Sequence, residues 1–479
     1  MRRFSEAPAR PNQADALAVF GVMWALASLW HLLGNPTGAP WWSQAALVLG
    51  AGAVLLWPGS PLPLAALAGA GLVTAWGEAP VLGNHWLLAA FVDVAILGSI
   101  AAAALRRRLH QRTELAERLF PVARLCLLGF YAFAAFAKLN TAFFDRRVSC
   151  APFYFQESTD SLGLGGLDLG RGAAVQHAVI WGTVLVELSV PLLLAVRRSR
   201  HLGVVVALVF HGVLALDRAH QFFDFSSLLA ALFVLFLPPS AGSWLVERIG
   251  SVRARLALEH DQLPGRVHLG LAAIPVSVGL LAVFDVLSVS GARGVGWWPW
   301  QLYTAAVIGA VVVFLRQHRS APAVGLRPHH LAFAIVPLLV VANGLTPYLE
   351  LKTGFGWNMY SNLRTVDGES NHLLVRRTLP LTDEQAEVVR ILSTSSPDLE
   401  RYADSGYGLT WRQLRSYLAR HPEVAITYQR GSETVSVRRA ADRPELVEPV
   451  PRWREKLQLF RPVDLREPER CVPTFGPAR

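Results

Sequence analysis

Apolar blocks of membrane length follow one another along most of this chain, and they restrict its possible folds more than any other feature. A run of about 17–25 apolar residues, wound as a helix, spans the hydrocarbon layer of a bilayer with every backbone group bonded internally. Such windows fall at residues 16–33, 41–57, 61–76, 85–105, 119–144, 174–196, 202–216, 226–237, 267–287, 298–315 and 331–349. The expectation is an α-helical polytopic membrane protein of about eleven transmembrane helices. A hydrophobic content of 52% and a mean hydropathy of +0.34 agree with that class.

The net charge of +10 comes from arginines gathered in short clusters between the blocks. That is the pattern of cytoplasmic loops, not of a nucleic-acid-binding face. The clusters are Arg2 with Arg3, Arg106 to Arg108 with Arg112, Arg197 and Arg198 with Arg200, and the stretches 248–266 and 316–327. An eleven-span arrangement with a cytoplasmic N-terminus puts them all on one side, and the C-terminus on the exoplasmic side. No small-residue cleavage site follows the first block, which is read as a retained helix. Within 244–258, Leu245, Ile249, Val252 and Leu256 recur at helical spacing among arginines, as in an interfacial helix.

Two regions follow: 1–350 as the transmembrane part, and 351–479 as a small exoplasmic α+β domain with a Pro-rich tail. In the second, 371–379 reads as a strand and Thr382 with Gln385 as a capping box opening a helix through Leu392. Thr410 with Gln413 opens another helix through Arg420, and 424–429 with 433–438 read as a hairpin around Gly431. Three cysteines exclude a disulfide framework and a CxxC metal site. Cys150 and Cys471 both fall on the exoplasmic side, where a bridge from the long loop to the tail can form.

The chain has only three lysines, Lys138, Lys352 and Lys456, and Lys138 lies inside the apolar window 119–144. Arginine holds its proton almost anywhere, whereas a buried lysine amine can become a base. Singled out beside it, in or at other windows, are Glu187, His211, Asp217 and His85. Counted at the helical rise from the outer ends, Lys138 lies about 9 Å in, His211 about 8 Å and Glu187 about 20 Å. Arg124 reads as a residue that snorkels to the inner surface. His31 reads as a satisfied residue near a helix end, and Asp217, His220 and Asp224 as a polar loop, so no metal site is expected.

Lys138-Leu139-Asn140 closing an aromatic-rich window, Asn84-His85 opening one, and Phe210-His211 in a later one resemble the vitamin K-dependent gamma-glutamyl carboxylase family and its bacterial relatives, the horizontally transferred transmembrane (HTTM) domain proteins. The stretches Asn343 to Tyr348 and Trp357 to Leu363 resemble segments of the bacterial members. The resemblance implies a base, Lys138, that deprotonates a vitamin K-like hydroquinone, assisted by His85 and His211. Asn84, Glu187 and Phe210 are then the cofactor-binding residues, and oxygen and carbon dioxide the co-substrates. It also implies a bacterial plasma membrane location, with membrane lipid and an exoplasmic protein or peptide as partners. The chain departs from the family after Leu139, where Asn140-Thr141-Ala142-Phe143-Phe144 stands in place of an acid and a tryptophan. The alternative reading is a non-catalytic membrane scaffold or lipid-binding, transport-associated protein.

Overall fold

The computed structural model describes residues 13–471 apart from 35–37, 168, 260–262 and 285. Arg2 and Arg3 therefore lie outside the described residues, as do the side chains of Val252 and Leu256. The apolar windows fold as helices: α1 (Gln13–Gly34), α2 (Trp41–Leu56), α3 (Pro61–Glu78), α4 (Asn84–Leu105), α5 (Arg112–Phe136), then the short α6 (Thr141–Phe144) and α7 (Cys150–Ser161). They continue as α8 (Ala173–Ala195), α9 (Arg200–Leu214), α10 (Phe222–Phe233), α11 (Pro239–Glu259), α12 (Leu263–Val283), α13 (Val289–Gln317) and α14 (Ile335–Leu345). Among the described residues five helices are long and apolar enough to cross a membrane, α1, α4, α5, α8 and most of α13. A sixth span results if Phe222–Phe236 and Pro239–Ser251, bent by 112° to one another, are one broken crossing. The break falls at Pro238-Pro239, where prolines withhold two backbone donors. The protein is thus membrane-embedded and mainly helical, with a small C-terminal sheet. Four other windows form apolar helices shorter than a usual span.

The chain divides into two compact units. The first takes the residues up to Gly77, Leu88–Leu128 and Val190–Pro337. Its hub is α1, apolar on every side and packed against α2, α10, α11, α12 and α13. A buried carboxyl and a buried cation on other helices are both satisfied there. Asp93 of α4 accepts from the Trp24 indole at 3.0 Å. Arg124 of α5 does not snorkel: it is buried and donates to the Leu235 and Gly325 carbonyls at 2.7 and 2.9 Å. The carbonyls freed by the break after α10 supply the acceptor that keeps it inside. His31 meets Asp224 at 3.0 Å, and His220 meets Asp217 at 2.9 Å, so the first histidine is satisfied as expected.

The second unit takes Glu78–Leu87, Gly129–Ser189 and the residues from Leu338 on. Its sheet is antiparallel, in the order β6-β5-β3-β4-β7, from β3 (Val388–Thr394), β4 (Tyr407–Thr410), β5 (Ile426–Arg430), β6 (Glu433–Val437) and β7 (Val463–Asp464); β1 (Thr365–Val366) and β2 (Glu369–Ser370) pair separately. Helices α15 (Pro397–Ser405) and α16 (Trp411–Arg420) cover it. The core is the buried set Val389, Ile391, Leu399, Leu409, Leu414 and Leu418 with the tyrosines around them.

The hairpin stands as expected, turning at Gly431 with φ +57°, and so does the α16 capping box. The expected helix over 382–392 is absent: 382–387 form turns and 388–392 begin β3. Val388, Val389 and Ile391 are β-branched, and pairing on both edges outweighs a capping signal. Thr382 and Gln385 bond the Glu350 and Thr365 carbonyls rather than a helix start. Residues 371–379 are not a strand but an irregular segment with single bridges at His372 and Arg377. Its backbone donors are spread over separate partners, among them the Leu139, Tyr348, Arg364 and Gly368 carbonyls.

Cys150 and Cys471 form a disulfide with Cα atoms 4.8 Å apart. Asn362 brackets it, accepting from the Cys150 N–H and donating to the Val148 and Glu469 carbonyls. The Pro-rich tail packs back on its own unit: Phe460 is fully buried and the Leu459 carbonyl accepts from Thr353 and Gly354.

Candidate functional site: the Lys138 turn

Window 119–144 is not one helix. After Phe136 the chain turns, and the reason is that side chains take over the last carbonyls of α5. Lys138 Nζ reaches the Ala134 carbonyl, His372 the Phe136 carbonyl at 2.9 Å, and Asn140 Nδ2 the Ala137 carbonyl at 2.8 Å. Asn140 then starts α6, its Oδ1 accepting from the Phe143 N–H, and its amide also donates to Ser361. The asparagine that departs from the family pattern is thus a fully buried two-sided cap.

Lys138 is 4% exposed. An ammonium has three donors, and Nζ has three acceptors around it: the carbonyls of Ala134 and Met359, each at 3.3 Å, and Glu187 Oε2 at 2.8 Å. The contact with Glu187 is a close ion pair. Counting depth along a single helix separated these two residues by about 11 Å; the turn after Phe136 brings them into contact. Tyr131 of α5 lies within electrostatic reach of Glu187. Helix α8 turns Trp181, Leu185 and Leu192 outward, each at least 60% exposed, while its Glu187 side chain is 14% exposed.

Met359 belongs to a loop of unusual backbone. Glu350, Phe355, Trp357, Tyr360, Asn362 and Asp367 all have positive φ, against two other non-glycine residues among those described. Such left-handed conformations cost energy and persist where the surroundings enforce them. Here Asn84 does so: its Oδ1 accepts from the Trp357 N–H at 3.1 Å. The Trp357 indole donates to the Val340 carbonyl at 2.7 Å, and its fully buried ring meets Phe130 edge-on. Asn84 thus acts on the site through the loop that holds Lys138. His85 follows it on the first turn of α4, half-buried, with Gly83 so close that a Cβ there would stand 3.0 Å from the ring.

His211 and Phe210 belong to the first unit. His211 is buried on α9, 3.4 Å from Ser226 Oγ and ringed by Phe210, Phe225 and Phe233. Sequence reasoning missed His372, which caps α5. Its Nε2 donates to Phe136 while Nδ1 accepts from Leu374 and Val375, and burial lowers its pKa from the usual value despite the Phe136 bond. Its partners sit on a distant stretch of chain, so no local pattern marks it.

No family model, curated protein or solved structure matches the chain. The site is therefore read from its own chemistry.

Proposed function

We propose that the protein is an integral-membrane oxidoreductase or carboxylase-like enzyme of HTTM type, acting on a reduced lipid-soluble quinone. The observation that carries this reading is the buried Lys138–Glu187 ion pair. The residues fit a quinol: its hydroxyl is a donor, the Glu187 carboxylate held against Lys138 is an acceptor, and Tyr131, Phe133 and Phe136 lie on the neighbouring turns of α5. The bound quinol would supply the reducing electrons, with oxygen and carbon dioxide as co-substrates. Within the chain, Lys138 and Glu187 hold and move the hydroxyl proton. The amine stabilises negative charge arising beside it. Asn84 and Asn140 position the two backbone segments that hold the amine, and α8 presents an apolar outer face to lipid, by which a quinol would enter. His85 and His211 remain proposed assistants, Phe210 a proposed wall.

The arginine clusters support a bacterial plasma membrane orientation with the N-terminus cytoplasmic. The Cys150–Cys471 bridge supports an exoplasmic sheet domain, since disulfides persist in oxidising compartments. An exoplasmic protein or peptide is the proposed acceptor. A rival reading, a non-catalytic scaffold, is favoured by the complete set of three acceptors on Lys138. Photolabelling of the purified protein with an azido-quinol separates the two. Labels on 138–144 and α8 that vanish in Lys138→Ala and Glu187→Gln uphold the quinol site, whereas labelling unchanged by both variants favours the scaffold.

A further inference from the structure

The first unit contains a second place where charge and an apolar space meet. A cavity of about 230 Å3 lies between α1, α5, α11 and α13, lined by Met23, Phe120, Leu237, Val307 and Val311, and by two polar residues, Arg124 and Tyr303. Its volume exceeds the roughly 150 Å3 that accepts a benzene-sized guest in an apolar interior. No carboxylate lines it. Among the described residues no acid pairs with Arg124; the neighbouring charge that acts on it is Arg200, of the same sign. Arg200 is itself committed to the Leu194, Ala195 and Val324 carbonyls. Arg124 donates from Nε and Nη1 to the Leu235 and Gly325 carbonyls, neutral acceptors that bring no negative charge to the guanidinium. The Tyr303 phenol oxygen is buried and has no hydrogen-bond partner among the described residues.

A buried guanidinium with no counter-charge and a buried unpaired phenol are both costly. An anionic, oxygen-rich group in this cavity, on a molecule whose remainder is hydrocarbon, offers a counter-charge to the guanidinium and acceptors to the phenol. We infer that this cavity is a binding site for an anionic phospholipid, the phosphodiester at Arg124 and Tyr303 and an acyl chain along Val307, Val311 and Leu237. The site is distinct from the Lys138 turn and does not rest on the proposed activity.

The test is delipidation of the full-length protein, re-equilibration with phosphatidylglycerol or phosphatidylcholine, and native mass spectrometry of the retained lipid. Phosphatidylglycerol is expected to be retained about fivefold better, the effect of roughly one well-placed basic residue on an anionic lipid. Val307→Trp, which fills the chain space and leaves Arg124 intact, should abolish retention. Tyr303→Phe should weaken it several-fold, and Arg124→Lys should shrink the preference while keeping a cation in place. Equal retention of the two lipids, or undiminished phosphatidylglycerol on Val307→Trp, would overturn the assignment.

Discussion

At the scale of single residues, the account rests on a lysine and a glutamate in direct contact, 2.8 Å apart. Removing one member of a buried pair leaves the other uncompensated, at a cost of about 3–5 kcal/mol. Glu187→Gln is therefore expected to lower unfolding stability in detergent by that order, and the double variant Lys138→Met with Glu187→Leu to recover most of it; additive losses would contradict the pairing. Glu469 gives a pH prediction. Burial, reinforced by Asp464, raises its carboxyl to about 8. The folded state then holds this proton above the pH at which the unfolded chain, near the usual 4.5, has released it. Stability contributed by the protonated form is full below about 4.5 and is lost as pH rises through about 8. Thermal unfolding followed from pH 4 to 9 should show that decline, and Glu469→Gln should flatten it. Of these residues Lys138 was legible in the sequence as a rare lysine in an apolar window. Glu187 was legible as an acid in another window, but their contact was not, because nothing in the helical count announces a turn after Phe136.

Elements repeat that lesson. Where a signal is local and its physics unopposed, as in the Thr410 box or the Gly431 turn, the sequence reading and the structure agree. Over 382–392 a correct local motif lost to strand pairing that depends on partners some 20 to 40 residues away. Of the loop from Glu350 to Asp367 the sequence reading singled out only Trp357 to Leu363, and its left-handed residues follow from side chains such as Asn84 that lie far off in sequence. Two changes test these elements. Thr410→Ala removes the α16 cap and should cost about 1 kcal/mol, read by hydrogen exchange of the 411–414 amides. In Gly344→Ala the new methyl would stand 2.3 Å from the Phe133 ring. Overpacking of that kind costs about 1–3 kcal/mol, and a melting temperature equal to the parent's would show that α14 and α5 are not so close.

For the molecule as a whole, the apolar windows announced a membrane-embedded helical protein with a C-terminal sheet, and the two cysteines announced their own bridge. The number of crossings was less legible, since short apolar helices and the break at Pro238-Pro239 make length alone ambiguous. The bridge joins residues 321 apart. Cys150→Ser should therefore destabilise the folded protein by about 2–5 kcal/mol; peptide mapping without reduction should recover the cross-linked pair, and free thiols at both positions would contradict it. The central claim is that the Lys138–Glu187 pair takes a proton from a quinol. Its most direct test is oxygen-dependent turnover of a reduced quinone by the purified protein beside Lys138→Ala and Glu187→Gln. The account predicts turnover by the parent and a loss of about 100-fold or more in each variant, the range of a positioned acid–base group; equal turnover by all three would contradict it.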